Sequence, residues 1–171
     1  IPALLAGCAV LVKPSEVTPR FVAPLMASLR EFPELAAVFA VVTGDGQTGA
    51  ALIEQVDAVC FTGSVATGRK VAEACARRFI PAFLELGGKD PVIVLASADP
   101  DRAAAAVLRA SVQATGQACQ SLERVYVHER VAAAFIERLV ARAAAVPLNY
   151  PDSRRGQVGP LIFARQAEII A

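Results

Sequence analysis

Short apolar runs alternate with longer amphipathic stretches along most of the chain. Runs such as VLV at 10–12 and VFAVV at 38–42 are apolar without alternation, which is typical of parallel strands covered on both faces. The pattern predicts strands over residues 8–12, 36–43, 58–64, 81–86, 91–95 and 124–128, and helices over residues 20–31, 50–56, 66–79, 100–114 and 130–146. Repeated strand–helix alternation with short loops predicts the α/β class, with an open parallel sheet.

The glycine pair at 87–88, after the fourth predicted strand, is the best candidate for a domain boundary. After it the alternation resumes with a long Ala-rich helix, which Asp99 and the proline that follows it should begin. A length of 171 residues suits one domain or two small halves. We therefore expect residues 1–87 and 88–171 to form separate parts of the fold.

Composition excludes several classes of partner. Hydrophobic residues make up 55% of the chain and charged residues 19%, so we expect extensive burial rather than disorder. Seventeen Lys and Arg residues balance sixteen Asp and Glu residues, which leaves no electrostatic footprint for nucleic acid. Charged residues interrupt the apolar runs before they reach the ~20 residues of a membrane-spanning helix. Neither nucleic acid nor a membrane is an expected partner.

The four cysteines and the single histidine bear on metal binding and location. There is no CxxC pair and His128 stands alone, so no metal site is expected. The wide spacing of the cysteines does not suggest a disulfide framework, which favours a reducing compartment and a cytoplasmic location. The opening IPALLAGCAV lacks an initiator Met and a basic segment ahead of an apolar one. We interpret the chain as part of a longer protein.

Two segments offer ribose- or phosphate-binding chemistry in the first half. GDGQTG is a G-x-G-x-x-G sequence (Gly44, Gly46, Gly49) between a strand and a helix, but no acid follows about 20 positions later, as a dinucleotide fingerprint requires. An ordinary Gly-rich turn is the alternative. KPSE places Lys13 and Glu16 at the carboxyl end of the first strand, where open α/β sheets bind ligands. Glu16 could accept both ribose hydroxyls, although a solvated loop is the more usual interpretation of such a tetrapeptide.

FTGSVATG has a better geometry for phosphate. Thr62, Gly63 and Ser64 close a strand and open a helix, where free backbone N–H groups and the helix dipole attract an anion. A serine N-cap with a tight turn is an equally good interpretation of the segment by itself.

Two further residues carry candidate catalytic chemistry. In LELGGK, Glu85 ends an apolar strand beside Phe83 and Leu86, so its carboxylate should be desolvated and suited to general-base work. A strand-end glutamate that points into solvent is the usual alternative. In VQATGQACQ, Cys119 lies between small and polar residues just ahead of a strand. A lone cysteine is more often apolar filler than a nucleophile.

Together, and in this order, these segments resemble the aldehyde dehydrogenase superfamily over nearly the whole chain. The segments that carry the resemblance are LVKPSEVTP, FTGSVATG, LELGGK and GQAC, followed by RVYV and GPLI. The step of 34 residues from Glu85 to Cys119 is the one expected in the family between general base and nucleophile. The segment PLNYPDSRRGQVGPLI departs from the commoner pattern of the family.

The resemblance implies a mechanism for the two candidate catalytic residues. Cys119 resembles the nucleophile that attacks the aldehyde carbonyl to give a thiohemiacetal, which becomes a thioester once hydride passes to nicotinamide. Glu85 resembles the base that activates the water for thioester hydrolysis. Relatives that transfer the acyl group to coenzyme A lack this glutamate, so its presence implies the hydrolytic branch. The implied partner is a small-molecule aldehyde.

The resemblance also implies a cofactor site for NAD, with NADP possible. The matching residues are those at the adenine ribose, beside the adenosine, at the pyrophosphate and near the nicotinamide: Lys13, Glu16, Gly46, Gly49, Phe61, Thr62, Gly63, Ser64, Thr67 and Leu86. A glutamate on the ribose repels a 2′-phosphate, which favours NAD. Residues 1–87 then resemble a partial NAD-binding Rossmann-like domain, and residues 88–171 the start of the nucleophile-bearing catalytic domain.

Two alternatives to the hydrolytic enzyme stay open. The family's oxyanion-stabilising asparagine and the glutamate of its ExFGP-type motif have no counterpart in these 171 residues. A non-catalytic nucleotide-binding or structural fragment is therefore one alternative function. A coenzyme A-acylating relative is a further alternative, which the presence of Glu85 disfavours. The resemblance implies a homo-dimer or homo-tetramer for the full-length protein.

Overall fold

The computed structural model describes residues 1–152 and 154–171, and it divides into two compact units, residues 1–85 and 86–171. The predicted boundary at the glycine pair lies close to this division. Helices and strands alternate in both units, so the predicted α/β class is confirmed. The functional assignment of the two parts stays a prediction.

The first unit contains five helices and four strands among its described elements. The helices are α1 (Pro2–Leu5), α2 (Val22–Leu29), α3 (Pro33–Ala36), α4 (Gly46–Ile53) and α5 (Val65–Arg77), with a 3-10 turn over Pro19–Phe21. The strands are β1 (Val10–Val12), β2 (Phe39–Val41), β3 (Val59–Gly63) and β4 (Ala82–Leu86). The short helices α1 and α3 were not predicted, because four residues are too few to show a helical period.

The second unit is built on β5 (Asp90–Val94), α6 (Pro100–Val112), β6 (Leu122–Val127) and α7 (Glu129–Ala144). A 3-10 turn over Gln113–Gly116 follows α6, and α8 (Arg165–Ile170) is the last helix. None of the helices in the described parts of the chain has both the length and the apolar character needed to cross a membrane.

The described strands pair two by two rather than in one continuous sheet. β1 pairs with β2 and β5 with β6, both in parallel, while β3 pairs with β4. The parallel pairing agrees with the prediction from strand–helix alternation, since each pair of parallel strands is joined through helices.

Helix α6 begins as predicted but ends earlier. The Asp99 carboxylate accepts a hydrogen bond from the backbone N–H of Arg102 at 2.8 Å, and Pro100 occupies the first turn. The predicted end at Ala114 is wrong, because Ala114 and Thr115 both adopt positive φ angles (52° and 62°) that the helix cannot include.

The main core lies between the β5–β6 pair and helices α6 and α7. Its buried residues are Val94, Ala104, Val107, Val131 and Phe135, of which Phe135 is 1% exposed. Arg142 of α7 also donates to Asp101 of α6 at 2.8 Å, although exposed ion pairs of this kind contribute at most about 1 kcal/mol. Burial of the apolar helix faces therefore dominates the stability of this unit.

The prediction that the strands are covered on both faces is wrong for the described structure. Burial alternates along β1, β2, β4 and β5 and along most of β3 and β6. The outward residues include Leu11, Phe83, Ile93 and Tyr126, with exposures of 46%, 62%, 70% and 52%. A continuous apolar run shows that both faces of a strand are apolar. Such a run does not show whether a second layer of helices covers the strands. No described element covers the outward face of these strands.

Candidate active site

Lys13 joins the KPSE segment to the GDGQTG segment. Its ammonium group donates to the backbone carbonyls of Pro14 and Gly44, both at 2.9 Å, and lies 3.3 Å from Oε2 of Glu16. The contact with Gly44 spans 31 residues of sequence and fixes the end of β1 against the loop after β2. The structure therefore brings Lys13, Glu16 and the glycine-rich segment together, as the resemblance implies.

The Glu16 carboxylate is held in its charged form. A hydrogen bond from its own backbone and the Lys13 ammonium lower the pKa of Glu16 below its ordinary value, more than partial desolvation and the nearby Asp45 raise it. The side chain is 61% exposed. At neutral pH it is thus an ionised, accessible acceptor, which suits hydrogen bonds from ribose hydroxyls and repels an added phosphate.

Replacing Lys13 with methionine is expected to raise the pKa of Glu16 towards its ordinary value. The substitution removes a hydrogen-bond donor and a positive charge from the carboxylate. Because the native pKa is depressed, the ion pair is present above it and is lost as the pH falls through it. NMR titration of the Glu16 carboxyl carbon measures the midpoint. Lys70→Met, at an exposed position in α5, is the matched control, and an unchanged midpoint in Lys13→Met would contradict the assignment.

The GDGQTG segment begins a helix rather than forming a loop. Oδ1 of Asp45 accepts hydrogen bonds from the backbone N–H groups of Gln47 at 2.9 Å and Thr48 at 3.3 Å, which caps α4. Gly46 and Gly49 are therefore helical residues, and the predicted start of this helix at residue 50 is wrong. Their position beside the adenosine stays a prediction. A Cβ atom at Gly49 would lie 3.7 Å from the Lys13 side chain, an ordinary van der Waals distance, so Lys13 packs beside this turn of the helix.

The FTGSVATG segment turns from β3 into α5 as predicted. Ser64 caps the helix: its hydroxyl accepts from the backbone N–H of Thr67 at 3.2 Å and donates to the Thr67 hydroxyl at 3.0 Å. The Phe61 ring lies against Gly63, where a Cβ atom would come within 2.6 Å of it. Thr62, Gly63 and Ser64 are all exposed, so this helix start is open to a ligand.

Glu85 and Leu86 end β4 on opposite faces. Leu86 is partly buried, whereas Glu85 is exposed on the same face as Phe83. The predicted desolvation of Glu85 by its sequence neighbours is therefore wrong for the described structure. The reason is the strand period of two, which turns the adjacent Leu84 and Leu86 away from the carboxylate.

Cys119 lies in an exposed turn between the 3-10 segment and β6. The backbone N–H of Ser121 donates to the carbonyl of Ala118 at 3.1 Å, which closes the turn around the cysteine. The thiol contacts the side-chain oxygen of Gln120 at 3.2 Å. Since Cys119 is exposed, the alternative that it fills an apolar helix face is excluded.

Contacts of the loop ahead of Cys119 were not predicted from the sequence. Thr115 and Gln117 form hydrogen bonds with the segment Gly159–Ile162, more than 40 residues later. GPLI was recognised as a family segment, but local patterns give no signal for such a distant pairing. In the same unit, the Lys89 ammonium pairs with the Glu123 carboxylate, which ties the start of β5 to β6.

Each unit offers groups suited to part of a reaction on an aldehyde. The first unit offers an ionised carboxylate, an ammonium group and an open helix start, which suit a dinucleotide. The second offers an accessible thiol, a nucleophile for carbonyl carbon. Among residues 1–152 and 154–171, no three His, Cys, Asp or Glu side chains lie close enough to hold a metal ion.

Comparison with known proteins extends these observations. The family model described as "Aldehyde dehydrogenase family" matches residues 1–171. Among curated proteins, the chain is 42% identical to the 4,4'-diapolycopene aldehyde oxidase of a Methylomonas species, over 99% of this chain and 32% of that protein. The chain thus spans about a third of the length of the curated relatives it matches.

Solved structures with similar sequences share the fold of this chain. A structure assigned as the aldehyde dehydrogenase PutA from Anabaena variabilis matches with a TM-score of 0.96 and 59% identity, over 99% of this chain and 36% of that chain. A 3,6-anhydro-L-galactose dehydrogenase solved in complex with NAP matches with a TM-score of 0.91 and 34% identity, over 98% and 36%. The family match over all 171 residues, supported by these structures, shows that the chain belongs to the aldehyde dehydrogenase family.

Proposed function

We propose that the chain supplies the nucleophile, the general base and part of the dinucleotide site of an NAD-dependent aldehyde dehydrogenase that releases a carboxylic acid. The observation that carries the proposal is Cys119, an exposed thiol held in a closed turn of a chain that belongs to this family along its whole length. The substrate is a small-molecule aldehyde.

The proposed reaction begins at the thiol. The Cys119 thiolate attacks the aldehyde carbon to form a C–S bond, and the carbonyl becomes an oxyanion that the backbone N–H of Cys119 helps to stabilise. When bound, the dinucleotide supplies the acceptor for the hydride that leaves this carbon. The acyl group is then a thioester on Cys119.

Hydrolysis of the thioester completes the reaction. Glu85 takes a proton from a water molecule whose oxygen attacks the thioester carbon. The C–S bond breaks, Cys119 leaves as a thiolate and the product is a carboxylic acid. The exposure of Glu85 in this chain allows water to reach the carboxylate.

The residues of the first unit fit a dinucleotide. The open start of α5 offers backbone N–H groups to a pyrophosphate, and Gly63 leaves the Phe61 ring close to this turn without a clash. Glu16 is an ionised acceptor for the ribose hydroxyls, with Lys13 beside it. This charge favours NAD over NADP. NADP is the alternative, because a similar dehydrogenase was solved with NAP.

We also propose a cytoplasmic homo-dimer or homo-tetramer for the full-length protein. Four unpaired cysteines suit a reducing compartment. Apolar strand residues exposed in this chain, such as Phe83 and Ile93, need a covering layer from further sequence or from a second copy.

Absorbance at the NADH band tests the proposed function. The full-length gene product that contains this sequence is mixed with NAD and a panel of aliphatic and aromatic aldehydes, with and without coenzyme A. Aldehyde-dependent NADH and a free acid are expected without coenzyme A. A strict need for coenzyme A would indicate the acylating alternative, and NAD binding without turnover would indicate the nucleotide-binding alternative.

A further inference from the structure

The loop ahead of Cys119 is tied to a distant segment by three hydrogen bonds. The backbone N–H of Gly159 donates to the Thr115 hydroxyl at 2.9 Å. The Gln117 carboxamide donates to the carbonyl of Pro160 at 3.3 Å and accepts from the backbone N–H of Ile162 at 2.8 Å. We call residues Gly159–Ile162, the GPLI segment, the strap.

The tied loop has an unusual backbone. Ala114, Thr115 and Gly116 are three consecutive residues in the left-handed region, with φ angles of 52°, 62° and 70°. A residue with a Cβ atom rarely adopts this conformation, and β-branched threonine least readily. Such a backbone persists only where surrounding contacts hold it, and the strap supplies contacts to two of the four residues 114–117.

The two residues directly before the strap are anchored in turn. The backbone N–H of Asn149 donates to the carbonyl of Val158 at 2.8 Å, and that of Gln157 donates to the carbonyl of Pro147 at 2.8 Å. Residues 147–149 follow α7, whose Phe135 lies in the core. A continuous series of contacts thus connects the packed part of the unit to the loop before Cys119.

We propose that Thr115 and Gln117 are positioning residues, through which the strap fixes the loop that presents the Cys119 thiol. The inference rests on the proposed function in that it takes Cys119 as the nucleophile. Gln117 suits this role because a carboxamide can donate to one backbone group and accept from another, which neither a carboxylate nor an apolar side chain can do. Cys119 is two residues from Gln117, so a shift of the loop moves the sulfur.

Loss of the ties is expected to lower kcat more than it changes the KM for NAD. Displacing a reacting group by about 1 Å can lower a rate about a hundredfold, so we expect a fall in kcat of about tenfold to a hundredfold. The residues proposed to bind the dinucleotide are not among those tied by the strap. The KM for NAD should therefore change less than about twofold. A purely structural defect would instead lower thermal stability and shift both constants.

Matched substitutions isolate each tie in the full-length gene product. Thr115→Val keeps the β-branched shape and removes the hydroxyl, whereas Thr115→Ser keeps the hydroxyl. Gln117→Met keeps the length and removes both hydrogen bonds, while Gln117→Glu keeps only the acceptor. Gln113→Met is the control, since Gln113 is exposed in the same loop and its side chain forms no hydrogen bond with the described residues.

Two further measurements test the positioning role without relying on enzyme turnover. Hydrogen exchange reports the tied amides directly: Thr115→Val should accelerate exchange at Gly159, and Gln117→Met at Ile162. The rate of Cys119 alkylation by iodoacetamide, followed by peptide mapping, reports the accessibility and environment of the thiol. We expect Thr115→Val and Gln117→Met to change this rate at least about threefold, with Thr115→Ser and Gln113→Met unchanged.

The outcomes separate this inference from the proposed function. The positioning role would be overturned if Thr115→Val and Gln117→Met had the same amide exchange, alkylation rate and kcat as the unsubstituted protein. This would hold even if Cys119 proves to be the nucleophile. If the protein has no aldehyde-dependent activity, faster amide exchange and altered alkylation still support the tie between strap and loop. If either variant fails to fold, Thr115→Ser and Gln117→Glu provide the comparison, with the larger effect expected for Gln117→Glu.

Discussion

Replacing Cys119 with alanine is expected to lower aldehyde-dependent NADH formation at least about a thousandfold. The substitution removes the thiol that forms the covalent bond to the aldehyde carbon, and without that sulfur neither the thiohemiacetal nor the thioester can form. Cys119→Ser should be similarly inactive, because a hydroxyl is a much weaker nucleophile than a thiolate unless a base activates it. Initial rates at the NADH band, under saturating NAD, measure the loss.

The chain offers two matched controls for this prediction. Cys8 and Cys60 are also exposed and unpaired, so alanine at either position removes a thiol without opening a buried cavity. Cys75 is unsuitable, since it is buried and its truncation would disturb the packing of α5. Activity that survives in Cys119→Ala but disappears in Cys60→Ala would move the nucleophile to another position and end the assignment made here.

Local patterns predicted the elements of this fold well wherever the cause of an element is itself local. The end of α6 shows the limit. Asp99 and Pro100 begin the helix through contacts within one turn, and the sequence shows them. The helix ends at Val112, where the extended backbone of Gln113 (ψ 137°) breaks it, and the residues that follow are tied to Gly159, 44 residues from Thr115. A run of helix-forming residues cannot report a contact at that distance.

In the candidate site, too, local contacts could be predicted from the sequence and distant ones could not. Asp45 and Ser64 act as helix caps through neighbouring residues, so their segments could be placed from the sequence, although GDGQTG proved to be a helix start and not a loop. The contact of Lys13 with Gly44 joins two loops 31 residues apart and needed the structure. For Glu85, residue composition suggested an apolar environment, whereas the alternation of β4 turns Leu84 and Leu86 to the other face.

Replacing Glu85 with glutamine is expected to separate the two halves of the reaction. Glutamine has nearly the same shape as glutamate but cannot take a proton from water, so thioester hydrolysis should slow about a hundredfold to ten-thousandfold. Formation of the thioester needs only the thiolate and the hydride acceptor. The variant should therefore release a rapid burst of about one NADH per active site and then nearly stop. Stopped-flow absorbance measures the burst, and mass spectrometry of the Cys119 peptide should detect the acyl adduct.

A matched control and a chemical rescue test whether the slow hydrolysis is due to the lost proton transfer from water. Glu73→Gln removes another exposed carboxylate from the same unit and should leave both the burst and the steady state unchanged. Hydroxylamine, a nucleophile that attacks thioesters without help from a base, should restore turnover in Glu85→Gln and consume the acyl adduct. Loss of the burst itself in Glu85→Gln would contradict the prediction, because it would mean that Glu85 acts before the thioester forms, as a base for the Cys119 thiol.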